Sequence, residues 1–257
     1  MTAPTVVVHR DAELLVQAVA ARLITKLVDA QAAHGDASVV LTGGTAGIAT
    51  LRAVAESPAC GAVDWPALSV LWGDERFLPP GDPDRNETQA RSALLDHVPV
   101  DPARVFPMPA AVGGLTPEDA AAQYAETLAA ETAKRAHSGA PVFDVLLLGV
   151  GPDGHVASLF PEHPALHDDR PVVGVRGAPK PPPNRVSLSM PVIRSADEVW
   201  LVVAGAEKAP AVRMALEGSG PVQLPAAGVR AERATRWLLD RAAASELPAD
   251  LARVASP

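Results

Sequence analysis

One cysteine stands in 257 residues, Cys60, which excludes an internal disulfide and any cysteine-rich metal site. Basic residues are also too few for a nucleic-acid binder. The chain has 22 Lys and Arg against 30 Asp and Glu, a formal charge of −8, and no basic stripe. No apolar run approaches the roughly 20 residues that a membrane-spanning helix needs. The amino terminus lacks the basic-then-apolar pattern of a secretory leader. Internal repeats, heptad arrays, low-complexity tracts and an interdomain linker are absent too, and so is a Gly-x-Ser-x-Gly nucleophile elbow. These absences point to a soluble cytoplasmic protein of one domain, residues 1–257, without nucleic-acid or membrane partners. A small anion remains a possible ligand. Oligomeric state is left open, with a monomer as the working expectation.

What is there begins with apolar residues, 48% of the chain, ample for a core. The densest run, Val142 to Leu148, suits a strand buried on both faces. It breaks at Gly149, Gly151, Pro152 and Gly154, and Asp153 and His155 lie in that turn. Open α/β sheets place ligands just past the carboxyl ends of their strands. Histidine there is the side chain most easily tuned to take a proton near neutral pH. A plain turn with a helix-capping histidine is the competing reading. The buried strand, the glycines and Asp153 together favour a functional one.

Around this centre, strands and helices alternate. Strands are expected at Val6–His9, Ala37–Leu41, Leu68–Trp72, Val105–Met108, Val172–Val175, Arg185–Leu188, Glu198–Ala204 and Thr235–Leu239. Helices are expected from Asp11 to about His34, after Gly47 to about Glu56, after the loop ending at Asn86 to about Asp96, and from Thr116 to about His137. Two more run from Met190 and from Glu207 to about Glu217. The fold class is therefore α/β, a doubly wound and mostly parallel sheet with helices on both faces. Residues 80 to 86 and 177 to 184 read as loops, the second carrying four prolines.

Two further strand-end turns converge on the same edge. Thr42-Gly43-Gly44-Thr45-Ala46-Gly47 joins a strand to a helix and offers free N–H groups to an anion. It matches neither the dinucleotide fingerprint nor the lysine-bearing nucleotide loop, so a structural turn and an anion cradle stay equally open there. Asp74-Glu75-Arg76 is a charged run, either solvated or lining a pocket.

Taken together, five stretches resemble the 6-phosphogluconolactonase family. They are Leu-Thr-Gly-Gly-Thr at 41–45, Trp-Gly-Asp-Glu-Arg at 72–76, Leu-Gly-Val-Gly-Pro-Asp-Gly-His-Val-Ala-Ser-Leu-Phe-Pro at 148–161, Pro-Lys-Pro-Pro-Pro-Asn-Arg-Val-Ser-Leu at 179–188 and Gly-Ala-Glu-Lys at 205–208. The histidine block is the most specific of them. Thr45-Ala46 departs from the Ser-Thr that the family often shows, and Pro152 holds a variable position. The resemblance implies hydrolysis of 6-phospho-D-glucono-1,5-lactone, a fold of the sugar-phosphate isomerase and deaminase type, and no metal or organic cofactor.

On that footing the residues take expected roles. His155 is the general base for direct attack by water, since no nucleophile elbow exists. Asp153 orients the imidazole, binds a sugar hydroxyl or caps the turn. Arg76 steadies charge on the carbonyl or the product carboxylate. Asp74 holds Arg76 or a substrate hydroxyl. Gly43, Gly44 and Thr45 cradle the 6-phosphate, with Arg185 and Lys208 adding charge. The related deaminases place a glutamate five residues after the histidine, where this chain has Phe160, which disfavours that activity. A sugar-phosphate sensor is disfavoured by the lack of a DNA-binding segment or basic arm.

Overall fold

The structure, a computed structural model, describes residues 3–248, 251 and 253–254. In chain order its elements are β1 (Thr5–His9), α1 (Ala12–His34), β2 (Ala37–Leu41), α2 (Gly44–Glu56), β3 (Leu68–Trp72), β4 (Asp74–Arg76), α3 (Asn86–Ala93) and α4 (Pro117–Ser138). There follow β5 (Val145–Leu148), β6 (Val172–Val175), β7 (Arg185–Leu188), α5 (Met190–Arg194), β8 (Glu198–Val203), α6 (Ala209–Leu216), β9 (Ala234–Asp240) and β10 (Arg253–Val254).

Seven strands form one sheet in the order β10-β1-β9-β8-β5-β2-β3, and every pairing in it is parallel. Strands β2, β3, β5 and β8 are buried along their whole length, as a sheet covered on both faces requires. The local signals for the helices are plain. Asp11 caps α1 by accepting from Leu14 N–H at 2.8 Å. Thr116 and Asp119 form a reciprocal capping box on α4, with Pro117 in its first turn.

The mostly parallel α/β architecture is therefore as expected, with one addition. Gly73 donates its N–H to Leu41 O in the main sheet and accepts from Leu188 N–H, both at 2.9 Å. There the chain leaves β3 and enters a second, antiparallel sheet in the order β4-β7-β6. Strands expected at 172–175 and 185–188 belong to this small sheet and not to the large one. The strand expected at Val105–Met108 does not form. Val105 makes only an isolated bridge to Val70, because Pro107 and Pro109 have no N–H to continue a ladder. Helix α3 stops at Ala93 and a 3₁₀ turn covers Leu95–His97, short of the single helix expected to Asp96.

Since all seven strands run the same way, their carboxyl ends share one edge. The turns after β2, β3, β5 and β8 lie side by side there.

Candidate active site

The turn after β5 carries Asp153 and His155. Gly154 N–H donates to Gly151 O and Gly151 N–H to His155 O, both at 2.9 Å, which folds the segment back on itself. Two of its glycines are required by contact. A methyl group on Gly151 would lie 2.0 Å from His155 Nδ1. Gly154 has φ +80°, and a methyl there would meet Leu224 at 2.2 Å.

His155 Nδ1 lies 2.5 Å from Asp153 Oδ1. Burial pushes the Asp153 carboxyl up, but the hydrogen bond and charge of His155 outweigh it and hold the group at about 2. A carboxylate only accepts, so Nδ1 carries the proton of the neutral ring and Nε2 keeps its lone pair. The imidazole rests against Phe160, with ring centroids 4.7 Å apart. The ring is thus held from two sides, by a carboxylate and by an aromatic face.

Three residues further on, Ser158 is fully buried and donates its hydroxyl to Asp74 Oδ2 at 2.6 Å. Its N–H reaches Ser187 Oγ at 3.2 Å. Ala157, with φ +49°, makes the left-handed step that turns the chain toward β4. The histidine turn and the Asp74 strand are thus tied by side chains 84 residues apart in sequence.

Along β4 the residues alternate in direction. Asp74 faces Ser187, Glu75 faces Val186 and Arg76 faces Arg185 across the ladder. Two guanidinium groups therefore share one face with Asp74. Arg76 Nη1 donates to Asp84 O at 2.7 Å, so its partner is a neutral carbonyl and not Asp74. Arg185 is buried, and it donates Nε to Pro182 O at 2.9 Å and Nη2 to the carbonyls of Lys180 and Pro181 at 3.1 Å. Burial lowers its pKa, Asp74 opposes that, and Arg76 adds to it. Like charges opposite one another in a ladder repel, and here each guanidinium is held by backbone carbonyls. Asp74 accepts from the Ser158 hydroxyl and lies 3.4 Å from Asn86 Nδ2, and its partners do not include Arg76.

Glu75 points the other way and is wholly buried. It accepts from the N–H groups of Arg76, Asn86 and Glu87 at 2.7, 2.7 and 2.9 Å, which caps α3 from outside the helix. The middle residue of the charged run is therefore structural. Burial pushes its carboxyl up to about 7, against the opposing pull of Arg85 and the three N–H donors. A carboxyl raised in the folded state stabilises fully below its unfolded value of 4.5, and that contribution fades as pH rises through about 7. The wild-type melting temperature is expected to fall relative to that of Glu75→Gln between pH 5 and 8. Parallel melting curves across that range would count against this assignment.

At the end of β2, Gly43 is the N-cap of α2, with φ −80° and ψ −161°, and Gly44 follows with φ +80°. No side chain caps this helix and its first turn holds no acidic residue. Its leading N–H groups therefore lack a carboxylate partner, which suits an anionic group. Lys208 sits after β8, the neighbour of β5, in the turn opened by Gly205. Gly205 has φ +104° and donates its N–H to Asp240 at 3.1 Å. The Lys208 ammonium is 3.7 Å from Glu207 and mostly enclosed.

The chain matches the family model described as glucosamine-6-phosphate isomerases/6-phosphogluconolactonase over residues 10–237. It is 61% identical over 251 residues to the 6-phosphogluconolactonase of Streptomyces coelicolor, covering 96% of each chain. The chain belongs to the 6-phosphogluconolactonase family. The 6-phosphogluconolactonase of Mycobacterium tuberculosis is 47% identical over 241 residues, 93% of this chain and 96% of that one. In three dimensions, the 6-phosphogluconolactonase of Trypanosoma brucei superposes with a TM-score of 0.79 at 29% identity, covering 96% of this chain and all of that one.

Within the family frame, the turns after β2, β3, β5 and β8, which carry most of the residues expected from the sequence, lie at one sheet edge, and Arg185 lies across the ladder from Arg76. Two further residues join these contacts. Ser158 lies within the histidine motif and Asn86 ends the loop expected at 80–86. A cap-type residue ahead of a short helix was the available signal for Asn86, and nothing local indicates what it touches.

Proposed function

We propose that this chain hydrolyses 6-phospho-D-glucono-1,5-lactone to 6-phospho-D-gluconate, a step of the oxidative pentose phosphate pathway, with His155 as general base. The observation that supports the reading is the 2.5 Å approach of Asp153 Oδ1 to His155 Nδ1 in the turn after β5, which in the neutral ring directs Nε2 to act as the acceptor. Water gives its proton to Nε2 as its oxygen bonds to the lactone carbonyl carbon. Arg76 steadies the resulting oxyanion. Collapse breaks the bond to the ring oxygen, which takes the proton back from the imidazolium, and the carboxylic acid so formed releases its remaining proton to solvent to give the carboxylate. The uncapped N–H groups of α2 and Thr45 hold the phosphate, with Lys208 and Arg185 supplying positive potential.

Phe160 supports this reading over deamination. Its ring packs on His155 where the deaminases place a glutamate, so no second acid stands there. Among the described residues no helix is long and apolar enough to cross a membrane. We place the enzyme in the cytoplasm.

The test is a rapid assay of lactone disappearance with freshly made substrate, read against spontaneous opening. Spontaneous rates at micromolar enzyme would overturn the reading. A second measurement probes the phosphate end. Lys208→Ala is expected to raise KM for the phosphorylated lactone by about tenfold or more, the scale of a lost charge-assisted hydrogen bond. Turnover of unphosphorylated gluconolactone should change little. An equal loss for both lactones would remove Lys208 from the phosphate site.

A further inference from the structure

Gly43 poses a question that its backbone does not answer. Its φ of −80° is open to any residue. Glycine is needed there for a different reason. A methyl group built on it would lie 2.0 Å from Asn86 Oδ1 and 2.5 Å from Asn86 Cγ. The carboxamide of Asn86 fills the space where a side chain of the turn would stand.

That carboxamide is anchored on its other side. Asn86 Nδ2 donates to Asp74 O at 2.9 Å and lies 3.4 Å from Asp74 Oδ1, which fixes the orientation of the amide. Asn86 N–H donates to Glu75 Oε1 at 2.7 Å. Only 3% of the residue is exposed. One buried group is therefore wedged between the turn after β2 and the strand that follows β3. Asp74 in turn is bonded to Ser158 of the histidine turn.

We infer that Asn86 is a positioning residue for this reaction, the spacer that fixes how far the anion-gripping turn at Gly43–Gly44 stands from Asp74 and the histidine turn bonded to it. The inference rests on the function proposed above, in which the phosphate sits at one end of the site and the reacting carbonyl at the other. A rigid spacer matters to a ligand that spans both ends, because its two grips must match at once. It matters little to a ligand that uses one end.

The experiment compares such ligands on the full chain. In Asn86→Ala, affinity for 6-phosphogluconate should fall about tenfold or more, the scale of a lost buried hydrogen bond. Affinity for inorganic phosphate should fall less than about twofold, and kcat/KM for the lactone should drop with the former. Losses in parallel for both ligands would show a phosphate contact or general loosening and overturn the spacer role. Asn86→Ser keeps a donor for Asp74 O and carries the same comparison if the alanine variant fails to fold. A double-mutant cycle supplies an independent readout. Gly43→Ala should be damaging with Asn86 present and nearly harmless beside Asn86→Ala, whereas additive effects would refute the wedge. A wild-type chain without lactonase activity would defeat the functional reading instead, and that result is seen before any variant is made.

Discussion

Replacing His155 with alanine is expected to lower kcat by about 10²–10⁴-fold, the usual contribution of general acid–base catalysis. The fold should survive, because the imidazole is half-buried at the edge of the sheet and its loss leaves no core cavity. Affinity for 6-phosphogluconate should stay measurable, since the proposed phosphate grip lies in other turns. Asp153→Asn separates the base from its orientation. An amide presents either oxygen or NH₂ to Nδ1, so the tautomer is no longer fixed and kcat should fall while the histidine remains. Stopped assays of lactone opening, with product affinity measured separately, check both variants. Wild-type kcat in His155→Ala would exclude the imidazole as the base.

The largest expected effect on stability lies at the opposite edge of the sheet. Asp144, just ahead of β5, is buried. It accepts from Ser38 N–H at 2.7 Å, Ser38 Oγ at 3.1 Å and Arg135 Nη2 at 2.6 Å. Arg135, also buried, reaches back from the last turn of α4 and bonds to Asp36 and Pro141 O as well, each at 2.8 Å. This network fixes the starts of β2 and β5 relative to α4. Asp144→Ala removes a carboxylate from a buried pair, a change that costs about 3–5 kcal/mol. Denaturant unfolding should show that loss with the slope unchanged, while the folded fraction keeps near-wild-type kcat. A loss under about 1 kcal/mol would mean the network relaxes or admits water.

The two variants act at opposite ends of one strand, and this separation organises the molecule. The amino ends of β2 and β5 carry ion pairs that hold the sheet together. Past their carboxyl ends lie the glycine turn that opens α2 without a side-chain cap and the histidine turn with Ala157 at φ +49°.

The sequence by itself determined what depends on neighbours along the chain. The apolar runs at 142–148 and 198–204 supply the buried strands Val145–Leu148 and Glu198–Val203, and Asp11 and Thr116 announce helices through their own capping bonds. Asp153, His155 and the glycines around them form a turn closed by bonds within five residues, and Ala226 N–H then anchors it through Gly154 O at 2.9 Å. Only the tertiary structure decided the rest. It moved β4 into a second sheet, set Arg185 opposite Arg76, bonded Ser158 to Asp74, and pressed Asn86 against Gly43. It also turned Glu75 inward as a helix cap. The physical reason is the range of the forces at work. Propensity, capping and periodicity act over a few residues, whereas a buried polar atom takes whichever partner the packed core brings within 3 Å, at any distance along the chain.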